Sequence, residues 1–375
     1  MNNATRSELT PPSTEKIDAL TGLRWFAALA VVLDHNVPGG YTPRAVTQFF
    51  ASGSMGVTVF FVLSGFVLAY NYDGRGSLLS LSALRSFYVN RIARIYPLYI
   101  AAFLFVALPD PGLLDGPWWQ HVFLLQTWHP NLDFVFQVNA PSWSVSVELF
   151  FYACFPLLMV AARKVLRSTR SSVIAFFACS AALIAIAAYF QQRGWAAYPP
   201  DDPASAFRWI YRSPLFRLID FMLGIVAFKF VQSLRGKSTK NLTNALLVSS
   251  LVWIFVTMAS PWPAESPWKY DSVYAIPSAM LISALAMHPS IVSRFLSTRP
   301  LVLLGESSYA FYILMAPLAM FDRPLWFGFT SRGTFAFLFD IGAMIVLSYG
   351  AHLLIEIPAR TFIKQRLSRR HATQH

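Results

Sequence analysis

An all-α fold, a polytopic membrane bundle of about ten spanning helices, is what this sequence predicts, and three observations carry the prediction. Only 13% of the 375 residues are charged while 55% are hydrophobic, about half the charged fraction of a soluble domain. Phenylalanine (33) and tryptophan (11) are abundant, as surfaces meeting lipid and its interfaces require. Apolar stretches recur along the chain at lengths near the ~20 residues that cross a bilayer.

In order, the expected spans centre on residues 20–37, 54–70, 92–108, 143–162, 173–190, 214–230, 242–259, 273–287, 301–321 and 334–355. The first and sixth carry charges and are the weakest by hydropathy. Basic residues fix the orientation. One set of alternate connections holds Arg75, Arg85, Arg91 and Arg94, then Arg163, Lys164, Arg167 and Arg170. It continues with Lys229, Arg235, Lys237 and Lys240, then Arg294 and Arg299. The C-terminal end adds Arg360, Lys364, Arg366, Arg369 and Arg370. The opposite set is poorer, although Arg193, Arg208 and Arg212 fall in it. The positive-inside rule therefore places both termini in the cytoplasm, and an even number of spans agrees.

Three regions follow: a polar N-terminal tail (1–19), a transmembrane domain (20–358) and a basic cytoplasmic tail (359–375). The tail contains Pro11 and Pro12 and does not feed an n-region into an h-region, so an uncleaved first helix is expected. A net charge of +12 would suggest nucleic acid in a soluble chain. Here the charges sort by side of the membrane, and the expected surroundings are lipid, with no nucleic acid. Cys154 and Cys179 lie in apolar runs with no CxxC pair, so neither a disulfide framework nor a metal site is expected. No Walker A motif, GxGxxG fingerprint or GxSxG elbow occurs.

The connection from Pro109 to Ser142 has no Lys or Arg and is long for an ordinary loop. Its centre carries Trp118, Trp119, Phe123 and Trp128. It forms either a plain aromatic belt at the outer interface or a cover over an outward-facing site, with tryptophans available to stack on a sugar.

Ionisable residues inside spans are costly and face a bundle interior or a wet cavity. In "LTGLRWFAALAVVLDHN", Arg24 and His35 are eleven residues apart. That spacing closes to within ~20° of three helical turns, with ~16 Å between them along the axis. Both sit on one stripe, Arg24 toward the cytoplasm and His35 toward the outside. Asp34 points away from it. The bland alternative has Arg24 reaching the inner headgroups and His35 bonded to a neighbouring helix. In "RIARIYP", Arg91 and Arg94 share a face at a helix entrance. They are either topological charges or a phosphate clamp, for which guanidinium is suited. In "PSWSVSVELFFY", Glu148 lies a turn or two inside the bilayer. Its depth is comparable to that of His35, which would let the two meet; the competing reading is a glutamate satisfied by a nearby arginine or hydroxyl.

Other features read as architecture. The small residues of "GSMGVTVFFVLSGF" let helices approach. Arg217 with Asp220, Glu306, and His352 with Glu356 are expected to order helices.

Taken together these segments resemble the acyltransferase-3 family of integral-membrane acyltransferases, which modify bacterial surface polysaccharides, nodulation factors and some macrolides. The resemblance runs from about Lys16 to Arg366. It rests on the Arg24…His35 helix, "GVTVFFVLSGFVL", "RIARIYPLY", "WSVSVELFFY" and "SYAFYILMAP". One position departs: Met315 stands where the family often has histidine.

The resemblance implies acyl-CoA, usually acetyl-CoA, as donor, a hydroxyl acceptor on a glycan or lipid-linked saccharide, and a multi-pass place in the bacterial inner membrane. It implies His35 as catalytic histidine, acting as general base on the acceptor hydroxyl or as a transient acyl carrier, and Arg24, Arg91 and Arg94 as functional arginines. The arginines would hold donor phosphates, and Glu148 would support the catalytic group. Trp143, Trp118 and Trp119 are candidates to bind the acceptor. Two alternatives stay open: an enzyme tailoring a small natural product such as a macrolide, and a proton-coupled transporter, which would bury similar charges.

Overall fold

The computed structural model describes residues 14–36, 44–74, 76–237, 239–260, 266–319 and 333–372. Twelve helices are used below: α1 (Thr14–Asn36), α2 (Met55–Tyr72), α3 (Leu81–Ala107), α4 (Ser142–Val165), α5 (Thr169–Gln192), α6 (Pro214–Ser233), α7 (Lys240–Ala259), α8 (Ser272–Met287), α9 (Arg299–Glu306), α10 (Ser308–Ile313), α11 (Gly333–Ala351) and α12 (Ile357–Ala372). A π-helical turn, His352–Glu356, joins the last two. Among the described residues there is no strand, and the protein is an all-α polytopic bundle.

Seven helices among the described residues are long and apolar enough to span a bilayer. The expected spans outside that set are those interrupted by charge or by helix breaks. α1 holds Arg24, and α6 holds Arg217, Asp220 and Lys229. Residues 301–321 were expected to form one span. Instead they divide at Ser307 and Leu314 into α9, α10 and the short helix Met315–Ala319. The end of that segment, 320–321, and Arg75 lie outside the described residues, as do residues 1–13 of the expected tail. Helix α1 starts at Thr14, earlier than the expected end of that tail.

The centre is α2, packed against α1, α6 and α8. Two glycines set its distance from α6. A Cβ on Gly65 would collide with the Phe221 carbonyl, and one on Gly224 with the Val62 carbonyl. The backbones therefore touch, as small residues allow in membranes. Toward α1, Gly56 meets the Ala27 carbonyl in the same way. Outer helices turn apolar side chains away from the bundle, including Phe177 on α5 and Val252 and Phe255 on α7, as lipid requires. At the end of the bundle bearing Arg91, Asp73 receives Lys229 at 3.1 Å and Arg163 at 3.5 Å, tying α2 to α6 and α4.

The connection after α3 folds back onto the start of α4. Tyr99 donates to the His121 carbonyl at 2.5 Å, and Gln126 donates to Ser142 Oγ at 3.0 Å. Ser146 on α4 donates to the Leu124 carbonyl at 2.6 Å. This clamps the point where α4 enters the bundle, and so fixes the depth of the residues it carries.

Candidate functional site

Two cavities lie end to end along α2. The inner one is narrow, about 80 Å³, and Arg24, Arg91, Arg94, Ser64, Glu148 and Tyr152 line it. The outer one is about 700 Å³, lined by Asp34, His35, Trp143, Tyr211, Tyr270 and Met315 among others. Val57 and Tyr312 line both, so the cavities meet at these two side chains. Tyr312 is held there: its hydroxyl is 2.8 Å from Ser144 Oγ and donates to the Pro141 carbonyl at 3.1 Å.

The inner cavity gathers three guanidinium groups around one carboxylate. Glu148 Oε1 accepts from Ser64 Oγ at 2.9 Å and from Tyr152 Oη at 2.6 Å. Tyr152 is one turn beyond Glu148 on α4, the spacing at which helical side chains meet. The Arg91 guanidinium lies 5.8 Å from the centre of the Tyr152 ring, close enough for a cation–π contact. Its Nε is buried and has no hydrogen-bond partner among the described residues. Arg24 interacts electrostatically with Arg94, Glu148 and Glu356. Among the described residues, no carboxylate comes within 4.0 Å of Arg24, Arg91 or Arg94. A low-dielectric cavity with three such cations and one anion favours an anionic guest.

The outer cavity presents an imidazole over an aromatic wall. His35 Nδ1 lies 2.9 Å from the Val31 carbonyl oxygen. A carbonyl only accepts, so Nδ1 carries the proton and Nε2 keeps its lone pair when the ring is neutral. The side chain is 53% exposed. Asp34 Oδ2 stands 3.8 Å from the same Nδ1, and both residues line the outer cavity. The expectation that Asp34 faces elsewhere is therefore corrected. Its carboxylate swings toward the ring, although its Cα position differs by one helical step.

The wall consists of Trp143, Tyr211 and Tyr270. Ring centres are 4.9 Å apart for Trp143 and Tyr211 and 5.6 Å for Tyr211 and Tyr270. A buried ion cluster backs this wall. Arg217 pairs with Asp220 at 3.2 Å and with Asp271 at 2.7 Å, and donates to Thr58 Oγ1 at 2.8 Å. Its guanidinium lies 5.9 Å from the Tyr211 ring centre and 5.0 Å from that of Phe61.

The structure brings Arg24, Arg91, Arg94 and Glu148 together in one cavity, and His35 and Trp143 in the other. It does not bring His35 to Glu148. Six residues into α4, Glu148 is ~9 Å below the helix start, on the inner side of Tyr312. Trp118 and Trp119 line neither cavity. Both are about half exposed, and Trp119 borders a separate shallow pocket with Trp128. The connection buries His121, Gln126 and Thr127 instead, which turns those indoles outward. Met315 lines the outer cavity, so the departure from the family pattern falls within the site.

Sequence reasoning missed Tyr211, Tyr270 and Tyr312, and read Ser64 as packing only. Tyr152 had a usable signal in its four-residue spacing from Glu148. Tyr211 and Tyr270 had none, because separate connections bring them together.

Comparison with known proteins adds a second kind of finding. A family model described as "Acyltransferase domain", that of the acyltransferase-3 family, matches residues 17–353. The chain is 32% identical over 328 residues to Acyltransferase MdmB of Streptomyces mycarofaciens, covering 81% of this chain and 79% of that one. It is 26% identical to the putative peptidoglycan O-acetyltransferase YrhL of Bacillus subtilis, covering 82% of this chain and 49% of the relative. It is 24% identical to O-acetyltransferase OatA of Staphylococcus aureus, covering 82% and 51%. The chain thus spans about half the length of these last two relatives. No solved structure matches.

Proposed function

The chain belongs to the acyltransferase-3 family, a family of membrane O-acyltransferases, and we propose that it moves an acyl group, most simply acetyl, from cytoplasmic acyl-CoA to a glycan hydroxyl outside the membrane. The observation that carries this reading is the pair of cavities meeting at Tyr312, one rich in guanidinium groups and the other holding His35. A donor and an acceptor that never share a compartment need such an arrangement. In this reading the arginine-bearing end faces the cytoplasm, in keeping with the positive-inside rule.

The donor is polyanionic with a slender thioester-bearing arm. Arg24, Arg91 and Arg94 attract its charge, and the narrow inner cavity admits the arm. The thioester reaches the junction at Tyr312. On the outer side the acceptor rests on Trp143 and Tyr211, because sugar C–H faces stack on aromatic rings. His35 Nε2 takes the proton of the acceptor hydroxyl as its oxygen attacks the thioester carbon. The carbon–sulfur bond breaks, the imidazolium returns the proton to the departing thiolate, and an oxygen ester and free CoA result. The Val31 carbonyl holds the required tautomer throughout. Glu148 keeps the inner cavity ordered through Ser64 and Tyr152, rather than orienting His35.

A second acceptor class has an observation in its favour. The outer cavity, about 700 Å³, is of a size that encloses a small molecule, such as a polyhydroxylated natural product. Membership in a family of acyl-transferring enzymes weighs against the proton-coupled transporter.

The test uses membranes carrying the protein, incubated with acetyl-labelled CoA in the native host background. Label should pass to surface glycan as an alkali-labile ester and disappear in His35→Ala. Label recovered only in a small secreted molecule would select the second acceptor. If no label leaves CoA in any fraction, the donor assignment is wrong.

A further inference from the structure

We infer that a third cavity, beyond the arginine cluster, receives the nucleotide end of the acyl donor. The inference rests on the acyl-CoA reading above and assigns a place to the part of the donor which that reading leaves unplaced.

The arginine cavity is too small for a nucleoside. At about 80 Å³ it falls well below the ~300–1,000 Å³ of pockets that enclose organic ligands, so only an extended arm fits. A roomier cavity of about 350 Å³ opens next to it, where α1, α2, α6 and the end of α8 converge. Val67 lines both, as Val57 and Tyr312 join the inner cavity to the outer one. The three spaces thus form one row along α2, from the end of the bundle bearing Arg235 to His35.

The lining suits a base carrying phosphate. Tyr70 and Phe228 offer two rings at right angles, with centres 6.3 Å apart. A flat heteroaromatic base can stack on one and meet the edge of the other. Asn71 and Gln232 also line it with amides the protein already engages: Asn71 Nδ2 donates to the Val67 carbonyl at 2.7 Å, and Gln232 donates to Asp73 at 2.6 Å and accepts from Lys229 at 2.8 Å. The exposed Arg235 stands at the rim. Arg235 is close enough to act electrostatically on the Tyr70 hydroxyl. The nearby carboxylate, Asp73, is already engaged by Lys229 and Arg163, so it does not repel an anion as a bare charge would. Read along the row, the base lies against Tyr70 and Phe228, its phosphate near Arg235 and the pyrophosphate toward Arg24, Arg91 and Arg94. The arm then continues to Tyr312.

Direct binding to the purified full-length protein in detergent tests this. The probes are acetyl-CoA, the adenosine bisphosphate half of CoA, and S-acetyl-pantetheine, which lacks the nucleotide. Wild type should bind acetyl-CoA, and the adenosine bisphosphate should compete. Arg235→Ala and Tyr70→Leu should each weaken acetyl-CoA and the adenosine bisphosphate by about tenfold, the scale of one charged hydrogen bond for Arg235 and of one aromatic stacking contact for Tyr70. S-acetyl-pantetheine, which never reaches the cavity, should bind all three proteins alike. If wild type binds acetyl-CoA but the nucleotide does not compete, or both variants bind it unchanged, the cavity is not the nucleotide site. Equal weakening of all three probes overturns the inference as well, since the loss would then lie in the arm or the fold. Failure of wild type to bind acetyl-CoA removes the donor reading itself.

Discussion

The Nδ1 of His35 stands 2.9 Å from the carbonyl oxygen of Val31, one turn earlier on the same helix. The Asp34 carboxylate is farther from the same nitrogen, at 3.8 Å, so the carbonyl is the acceptor within hydrogen-bond distance. It ties the tautomer to backbone geometry, which a side-chain substitution elsewhere does not disturb. Nε2 is consequently the atom left to accept a proton in the outer cavity.

His35→Ala should therefore lower acyl transfer by about a hundredfold to ten-thousandfold, the usual worth of a general base. Stability should change little, within about ±0.5 kcal/mol, because the side chain is largely exposed and packs no core. Acetyl transfer measured beside thermal unfolding in detergent checks both halves. A large fall in melting temperature would mean that the residue holds helices rather than substrate.

The three guanidinium groups of the inner cavity should act on donor affinity. Arg94→Ala is expected to raise the donor KM by roughly tenfold to a hundredfold, the range of one charged hydrogen bond. Arg94→Lys should recover part of the loss, since charge remains but the fork geometry does not. Steady-state kinetics at fixed acceptor separates this from a fall in kcat. An unchanged donor KM in both variants would leave these charges as topology signals only.

Arg24 and His35 could be placed on one stripe from their spacing alone, and both do line the row of cavities. Arg91 and Arg94 were equally legible, because a three-residue spacing on a helix leaves little choice of face. Depth along a helix was less secure. Glu148 was read at a depth where it could meet His35, with a nearby arginine or hydroxyl as the competing partner; the Ser64 and Tyr152 hydroxyls hold it, and Tyr312 stands between it and His35. The broken helices α9 and α10 read as one apolar span, since hydropathy does not register the turns at Ser307 and Leu314. Asp271 gave no sign that it would share Arg217 with Asp220, for that pairing depends on how α6 packs near the start of α8. Periodicity reports which way a residue faces on its own helix. Which neighbour it meets is a property of the packed bundle.

The outer connection should respond to acid through His121. Burial, aided by the nearby His129, lowers its pKa from 6.5 to about 4, and its ring lies 4.6 Å from that of Phe134. The folded pKa is below the unfolded one, so the unfolded segment binds the proton more readily. The stability contribution is complete above pH ~6.5 and is lost as pH falls toward ~4. Limited proteolysis of the connection should accelerate across that window. His121→Leu should flatten the dependence there, and an identical pH profile in wild type and variant would refute the assignment.

The last prediction concerns the ion cluster behind the aromatic wall. Arg217 is fully buried and holds Asp220 and Asp271 on one side and Thr58 on the other. Arg217→Met removes the cation and leaves two carboxylates facing each other in a low dielectric. Breaking a buried pair from one side costs about 3–5 kcal/mol, so the variant should unfold well below wild type or fail to accumulate. Replacing all three charges together, Arg217→Met with Asp220→Asn and Asp271→Asn, removes the unpaired carboxylates and should restore much of the stability. Restored stability separates the two functions of the cluster. If the triple variant folds yet transfers acyl groups with a raised acceptor KM and an unchanged donor KM, the cation beneath Tyr211 tunes the wall on which the acceptor rests. If it folds and both constants match wild type, the cluster serves only to join α6 to its neighbours. Thermal unfolding followed by kinetics on the same preparation distinguishes the two.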